Sequence, residues 1–317
     1  MNVVLVSTAP EALPAPDADL PLLTAAFARI GVACTVAAWR DRSVDWAAFD
    51  LAVIRSPWDY CDHLTEFDAW LDHIEHVAPG RLHNPAGLLR WNLDKGYLAD
   101  LQNMGVPVVP TRYADTPAEV RAALTWVAEK GAAEVVVKPR VSAGSRDTGR
   151  FDPSDRGASE LGTAILRRGG SVMVQPAVTS VATAGEIAWI LLDGAHSHQV
   201  RKGPILASGG GLIGGGYSEI ITPCHGAARD TAGNDVAAAA VRAAEHVAHR
   251  RGWLPTGRHL LYARIDVVFL DDGEPAVLEA ELFEPSLFLA TSEGAARRFV
   301  DACLRRAETS PGVNRRR

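Results

Sequence analysis

Residues 260–283 constrain the fold most, because two apolar strands joined by Asp271, Asp272, Gly273 and Glu274 carry four charges that must share one surface. If Asp272 and Gly273 form the two-residue turn that Asp-Gly favours, Asp266 lies opposite Glu279 and Arg264 opposite Glu281. Side chains alternate along a strand, so these four face one way while Ile265, Val267, Leu278, Ala280 and Leu282 face the other. Three facing carboxylates repel one another, and Arg264 alone cannot neutralise them. A hard divalent cation held by oxygen ligands resolves the conflict, and Mg2+ shared between carboxylates and nucleotide phosphates is the common solution. The alternative is a solvated hairpin face with one cross-strand ion pair. The charged face is expected to look into solvent, so that losing one ligand leaves the fold intact.

A second hairpin turns at Asp193 and Gly194. The same counting puts Glu186 opposite Arg201 and leaves Lys202 facing away, so a bulge or twist is needed to bring Lys202 and Glu186 to one site. The strand ending at Lys138 runs into a small polar loop, residues 139–148, that contains Ser142, Gly144 and Ser145. A lysine there, beside free backbone N–H groups, suits a polyphosphate, and an ordinary strand exit reads equally well. The chain has 28 Arg and only four Lys, at positions 95, 130, 138 and 202. Generic surface charge is thus left to Arg, and Lys is expected where a compact ammonium is needed, although codon bias produces the same skew.

The opening is β-α-β: strands at residues 3–6, 33–37 and 51–54 around a helix at 20–30, followed by a helix at 64–76. Its polar loops at residues 7–16 and 55–60 follow strand ends, where open α/β sheets bind ligands. The pattern changes near His83, Asn84 and Pro85. A helix at 92–104, a short strand at 106–109, a helix at 117–130 capped by Thr116 and Pro117, and a strand at 134–138 come next. Strands at 171–175, 186–192, 195–202, 260–270 and 276–282, with helices at 230–251 and 293–306, complete an α+β part. The expected division is 1–88, 89–172 and 173–317.

Other chemistries are disfavoured. Gly209, Gly211 and Gly214 fit G-x-G-x-x-G, but no helix starts there, and no P-loop or Gly-x-Ser-x-Gly motif is present. Residues 209–216 read instead as a flap over an active site or as a merely disordered loop. His73 and His76 sit beside Asp72 and Glu75 on a face expected to be solvated. A net charge of -6 argues against nucleic acid, the scattered cysteines fit a reducing cytoplasm, and no window approaches a membrane span.

In order along the chain, Lys95, Lys138 with its loop, Gln175, Glu186, Lys202, Asp266, Glu279 and Glu281 resemble the ATP-grasp superfamily. The resemblance implies that an N-terminal α/β domain precedes two α+β subdomains clamping ATP. It implies further that Lys95, Lys138, Ser142, Gly144 and Ser145 hold phosphates, and that Gln175 to Val178 meets the adenine. Glu186 would bind ribose or order its hairpin, Lys202 would meet the γ-phosphate, and Asp266 and Glu279 would bind Mg2+. Glu281 stands where many members carry Asn, and it joins the metal set with Arg264 compensating its charge. Trp91 to Lys95, Ser142 to Ser145 and Leu278 to Leu282 before Glu284, Pro285 and Ser286 are most similar to the D-cycloserine synthetases.

The activity so implied is conversion of a carboxylate to an acyl phosphate, opened by a nitrogen nucleophile, with ring closure within one amino-acid-like substrate as the form to expect. An intermolecular ligase, a small-molecule kinase and a nucleotide-binding regulator are the alternatives. Arg264, or Arg201 beside Lys202, would hold the substrate carboxylate, and Ser7 and Thr8 with the loop Arg55 to Tyr60 would grip its amino-acid end. No nucleic-acid or membrane partner is expected, and a homodimer is left open.

Overall fold

Val3, Val4, Leu5 and Val6 are all fully buried, which is the mark of a parallel strand covered on both faces. The computed structural model describes residues 1–13, 15–213, 219–224 and 228–307. Its first sheet comprises β1 (Asn2–Ser7), β2 (Ala33–Ala38), β3 (Leu51–Ser56) and β4 (Leu82–His83), parallel in the order β2-β1-β3-β4. The helix α1 (Asp19–Ala28) covers the face of Val3, Leu5 and Val53, and α2 (Leu64–Val77) covers that of Val4, Val6 and Ile54. Loop residues at the strand ends are locked together, with Ser7 Oγ 2.9 Å from Ser56 Oγ and Thr8 donating to Asp59 at 2.6 Å.

The expected helix over 92–104 is broken into α3 (Ala86–Leu93) and α4 (Tyr97–Asn103). Asp94 turns out of the helix, accepts from Gly96 N at 2.7 Å and pairs with Arg140 at 2.8 Å, while Lys95 N donates to Arg140 O. No strand forms over 106–109. Pro107 has no N–H, and the segment makes only one parallel bridge, Val108 to Val277.

The second sheet is antiparallel. It contains β5 (Arg112–Ala114), then, after α5 (Pro117–Glu129), β6 (Val135–Pro139), β7 (Gly149–Phe151) and, after α6 (Arg156–Arg167), β8 (Val172–Pro176), in the order β5-β8-β6-β7. Thr116 and Glu119 form a reciprocal capping box at the start of α5. Both helices pack on the face of Val135, Val137, Val172 and Val174. β5, β7 and α6 are not evident in the sequence; α6 offers few apolar positions and contains Gly157 and Gly162, the latter lying against Val120.

The third sheet begins after α7 (Thr179–Ala184) with β9 (Glu186–Leu192), β10 (Ala195–Lys202) and β11 (Ile221–Pro223). Beyond α8 (Ala228–Arg250) come β12 (Tyr262–Phe269), β13 (Pro275–Glu281) and α9 (Ala295–Ala307), and the strand order is β11-β10-β9-β12-β13. α8 covers the face of Ile187, Trp189, Leu191, Ile265 and Val267. On the other face, Ala188, Ile190, Leu192, Val200 and Tyr262 share one core with α1, α9 and the first sheet. No helix among the described residues is long and apolar enough to cross a membrane.

Candidate active site

Two bulges bring the charged residues together. β10 pairs with β9 as counted at Ala195 and His196, but the register slips at Ser197, so that Lys202 lies opposite Glu186 and Arg201 opposite Ile187. The bulge that the Lys202–Glu186 approach needs is therefore present, and the pairing of Glu186 with Arg201 is corrected. Lys202 Nζ lies 2.9 Å from Glu186, 2.9 Å from Asp266 and 3.3 Å from Glu219. Arg201 is exposed on the opposite face and donates to Ala184 O at 2.6 Å, so the structure does not bring it to the cluster. Gly185, at φ +70°, lies so close to β10 that a Cβ would stand 2.1 Å from Lys202 O. Only glycine allows Glu186 to start its strand there.

The turn between β12 and β13 has three residues, Asp271 to Gly273, with Leu270 N donating to Glu274 O. That alone shifts every pair by one. A bulge at Leu278 shifts them back, so Asp266 faces Glu279 and Arg264 faces Glu281 as expected. Leu278 is the residue displaced; it leaves the face of Val267 and Ala280 and joins Val109, Val178, Val268 and Ala276 in an apolar patch beside the charges.

Oxygens of Asp266, Glu279 and Glu281 all lie within 4.8 Å of one another. Arg264 grips Asp266 with two bonds of 2.9 and 3.0 Å and also donates to Glu281. Lys95 reaches Glu279 at 3.1 Å and Ser142 O at 2.7 Å. The face is not open to solvent as expected: Asp266 is 1% exposed, and Arg264 and Lys202 5% each. Lys95, held by Ser142 O of the loop after β6, closes on it from the second sheet's side, and Lys202 with Glu186 and Glu219 from the third.

Burial and the surrounding charges spread the acidities apart. Burial would raise Glu279, but Lys95, Lys138, Lys202 and Arg264 bring it down to about 2. Glu281 is raised to about 7 by burial, against the pull of Arg264 and with the push of Glu279 and Asp266. Burial would depress Lys202, yet Asp266 and Glu186 hold it well above the ordinary lysine value. Lys138 moves down, chiefly through burial, with Lys95 adding to the effect and Glu279 opposing it. No ion pair to Lys138 is present among the described residues. A buried ammonium without a carboxylate partner fits an anionic ligand, and three clustered carboxylate oxygens fit a hard divalent cation.

Ser142 is buried, while Gly144 and Ser145 take left-handed conformations at φ 60° and 56°. Arg146 ties this loop to Asp62 of the first sheet's loops. Gln175 is buried and donates to Thr111 at 2.8 Å, and Val178 lines the apolar patch. Arg55 is fully buried, 3.5 Å from Asp19 and bonded to Pro285 O at 2.7 Å, so it tethers the segment after β13 and offers no exposed surface to a ligand. The flap expected over 209–216 is described only to residue 213. Up to that point it is a short hairpin that reaches the second sheet, with Gly210 N donating to Arg150 O and Ser208 to Glu134. Tyr60 lies in the 55–60 loop expected to grip the substrate's amino-acid end, and it donates to Glu284 at 2.5 Å; sequence reasoning missed Glu219, Asn84 and Asn92. The two buried asparagines bond the backbone of β12, β13 and the residues just after, at Tyr262, Ala280 and Leu282. Polar residues at otherwise apolar helix positions are the signal that marks Asn92.

Residues 3–84 match the family model described as D-cycloserine synthetase DcsG, N-terminal domain. The chain is 38% identical over 309 residues to the cycloserine biosynthesis protein DcsG of Streptomyces lavendulae, covering 96% of this chain and 99% of that one. A crystal structure of D-cycloserine synthetase DcsG superposes with a TM-score of 0.85 at 36% identity, over 96% of this chain and all 100% of the other. The ATP-grasp ligase PsnB, complexed with minimal precursor, Mg and ADP, matches with a TM-score of 0.59 at 18% identity over 96% and 98% of the two chains, a likeness of fold. The fold and these relatives together define an enzyme of the ATP-grasp ligase class. Within that class the chain belongs to the D-cycloserine synthetase family.

Proposed function

We propose that this enzyme binds ATP and Mg2+ between its second and third sheets and transfers the γ-phosphoryl group to the carboxylate of an amino-acid-like substrate. The trio Asp266, Glu279 and Glu281, beside Lys202, carries the reading. A carboxylate is a poor electrophile. Its oxygen must first attack the γ-phosphorus with ADP leaving, and a nitrogen then attacks the acyl carbon with phosphate leaving. Mg2+ held by the trio would neutralise charge on the phosphate oxygens. Lys95 and Lys138 hold the α- and β-phosphates, and Ser142, Gly144 and Ser145 present backbone to them. The adenine lies along Gln175 to Val178, over the patch of Val109, Val268, Ala276 and Leu278. Glu186 fixes Lys202, which faces the γ-phosphate, and Arg264 orients Asp266 while meeting the substrate carboxylate.

The Streptomyces relative is named for cycloserine biosynthesis; the form of the reaction we propose is ring closure within one molecule, in which tethering supplies a high effective concentration of the nucleophile. O-ureidoserine should therefore stimulate release of ADP and inorganic phosphate with no amine added, and mass spectrometry should show a cyclic product. Dependence on a separate amine would replace the cyclase by an intermolecular ligase. AMP with pyrophosphate would exclude the mechanism.

Lysine identity offers a further check. Lys138→Arg should lower kcat/KM for ATP about a hundredfold, because a wider guanidinium does not fit a point charge buried beside phosphates. Lys130, exposed over the Trp126 ring at 5.3 Å, should tolerate the same change without effect. Equal behaviour of the two variants in an ADP-release assay would contradict the phosphate assignment.

A further inference from the structure

Glu284 is nine-tenths buried, three residues beyond the last carboxylate of the trio, and only half of its side chain is satisfied. Tyr60 OH donates to Oε1 at 2.5 Å, whereas Oε2 is buried without a hydrogen-bond partner. The surroundings hold it firmly from the first sheet's side: Trp58 Nε1 donates to Glu284 O at 3.1 Å and Arg55 to Pro285 O at 2.7 Å. Its position is therefore set, and the unfilled accepting capacity of Oε2 belongs to that position.

Neither protonation state is satisfied by the described residues. An ionised Glu284 has no cation of its own, since Lys95 is engaged by Glu279 and Ser142 O, Arg264 by Asp266 and Glu281, and Arg146 by Asp62. A neutral one can share its proton with Tyr60 through Oε1, but Oε2 is then a buried carbonyl oxygen with no donor. Either arrangement is costly, and a cationic hydrogen-bond donor arriving with a ligand relieves it. Burial, with the push of Glu281, holds the Glu284 carboxyl well above the ordinary carboxylate range, and its bond to Tyr60 joins the residues just after β13 to the first sheet's loop.

We propose that Glu284 Oε2 receives the ammonium group of the amino-acid substrate, with Tyr60 holding the other oxygen; this rests on the function proposed above. The substrate would then span from Arg264 and the trio, where its carboxylate reacts, to the junction with the first sheet, where its amino end is read. Hydroxy-acid and des-amino compounds of the same length would be discriminated against by this one contact.

The probe is O-ureidoserine beside its des-amino counterpart, with the full-length chain, Mg2+ and a non-hydrolysable ATP analogue for binding, and ATP for turnover. Wild type should bind the amino compound about a hundredfold more tightly than the des-amino one, and Glu284→Gln, which keeps an acceptor for Tyr60, should abolish that preference. In turnover the variant should raise KM for the amino compound and leave KM for ATP unchanged. Tyr60→Phe should show a smaller loss of the same kind. Equal binding of the two compounds by wild type overturns the assignment, as does an equal loss on both compounds in Glu284→Gln or a change confined to the Mg2+ requirement. Ammonium-dependent binding without turnover would instead remove the proposed reaction while leaving Glu284 in its role.

Discussion

Glu279→Gln is expected to lower the rate of ADP formation about a thousandfold while the chain still folds. The side chain is 27% exposed, and the amide keeps its volume. What it loses is a charge that four nearby cations hold ionised to about pH 2, and an amide is a far poorer partner for a hard cation. Lys95 retains Ser142 O when Glu279 is neutralised. Asp266→Asn is a different experiment. Asp266 is bonded to both Lys202 and Arg264, so its loss leaves two buried cations under-compensated and should show in the melting temperature as well as in turnover. A Mg2+ titration of ADP release checks the first variant. Near-normal activity of Glu279→Gln at modest Mg2+ would contradict the metal assignment.

Lys202→Met should abolish turnover and destabilise the chain by about 3 to 5 kcal/mol, the usual cost of removing one partner from a buried ionic network. Glu186, Asp266 and Glu219 all reach the ammonium, and a thioether answers none of them. Denaturant unfolding and the ADP assay report the two losses separately. A variant that melts like wild type would mean that the three carboxylates find another cation, and retained turnover would remove Lys202 from the phosphoryl-transfer site.

The charged hairpin was legible in the sequence because charge and alternation agreed, yet its pairing came out right through two compensating features. A three-residue turn shifts the register by one and the bulge at Leu278 shifts it back. Asp-Gly chemistry does not distinguish two residues from three, and nothing local marks Leu278 as the extra residue. At Ser197 a lone bulge had no such partner, and simple counting turned Arg201 inward in place of Lys202. Lysine scarcity pointed past that error, since a single compact ammonium is what three carboxylates around one point require.

Parts of the site that depend on distant segments were beyond the reach of sequence patterns. Tyr60 meets Glu284 across 224 residues, and Glu219 approaches Lys202 from just before β11. Apparent helicity over 92–104 hid the break at Asp94 that turns Lys95 into the cleft, because the competing bonds come from Arg140 on another element. One hairpin taken alone leaves the charged face solvated; it is buried because Lys202, Glu186 and Glu219 from the third sheet's side, and Lys95 held by Ser142 O, pack against it.

Transfer of oxygen tests the proposed chemistry most directly. O-ureidoserine labelled with oxygen-18 in its carboxylate should deliver one labelled oxygen per turnover to inorganic phosphate, visible by phosphorus NMR, because the carboxylate oxygen that attacks the γ-phosphorus leaves with it. Label that stays wholly out of phosphate while product forms, or that appears in AMP, would contradict activation as an acyl phosphate.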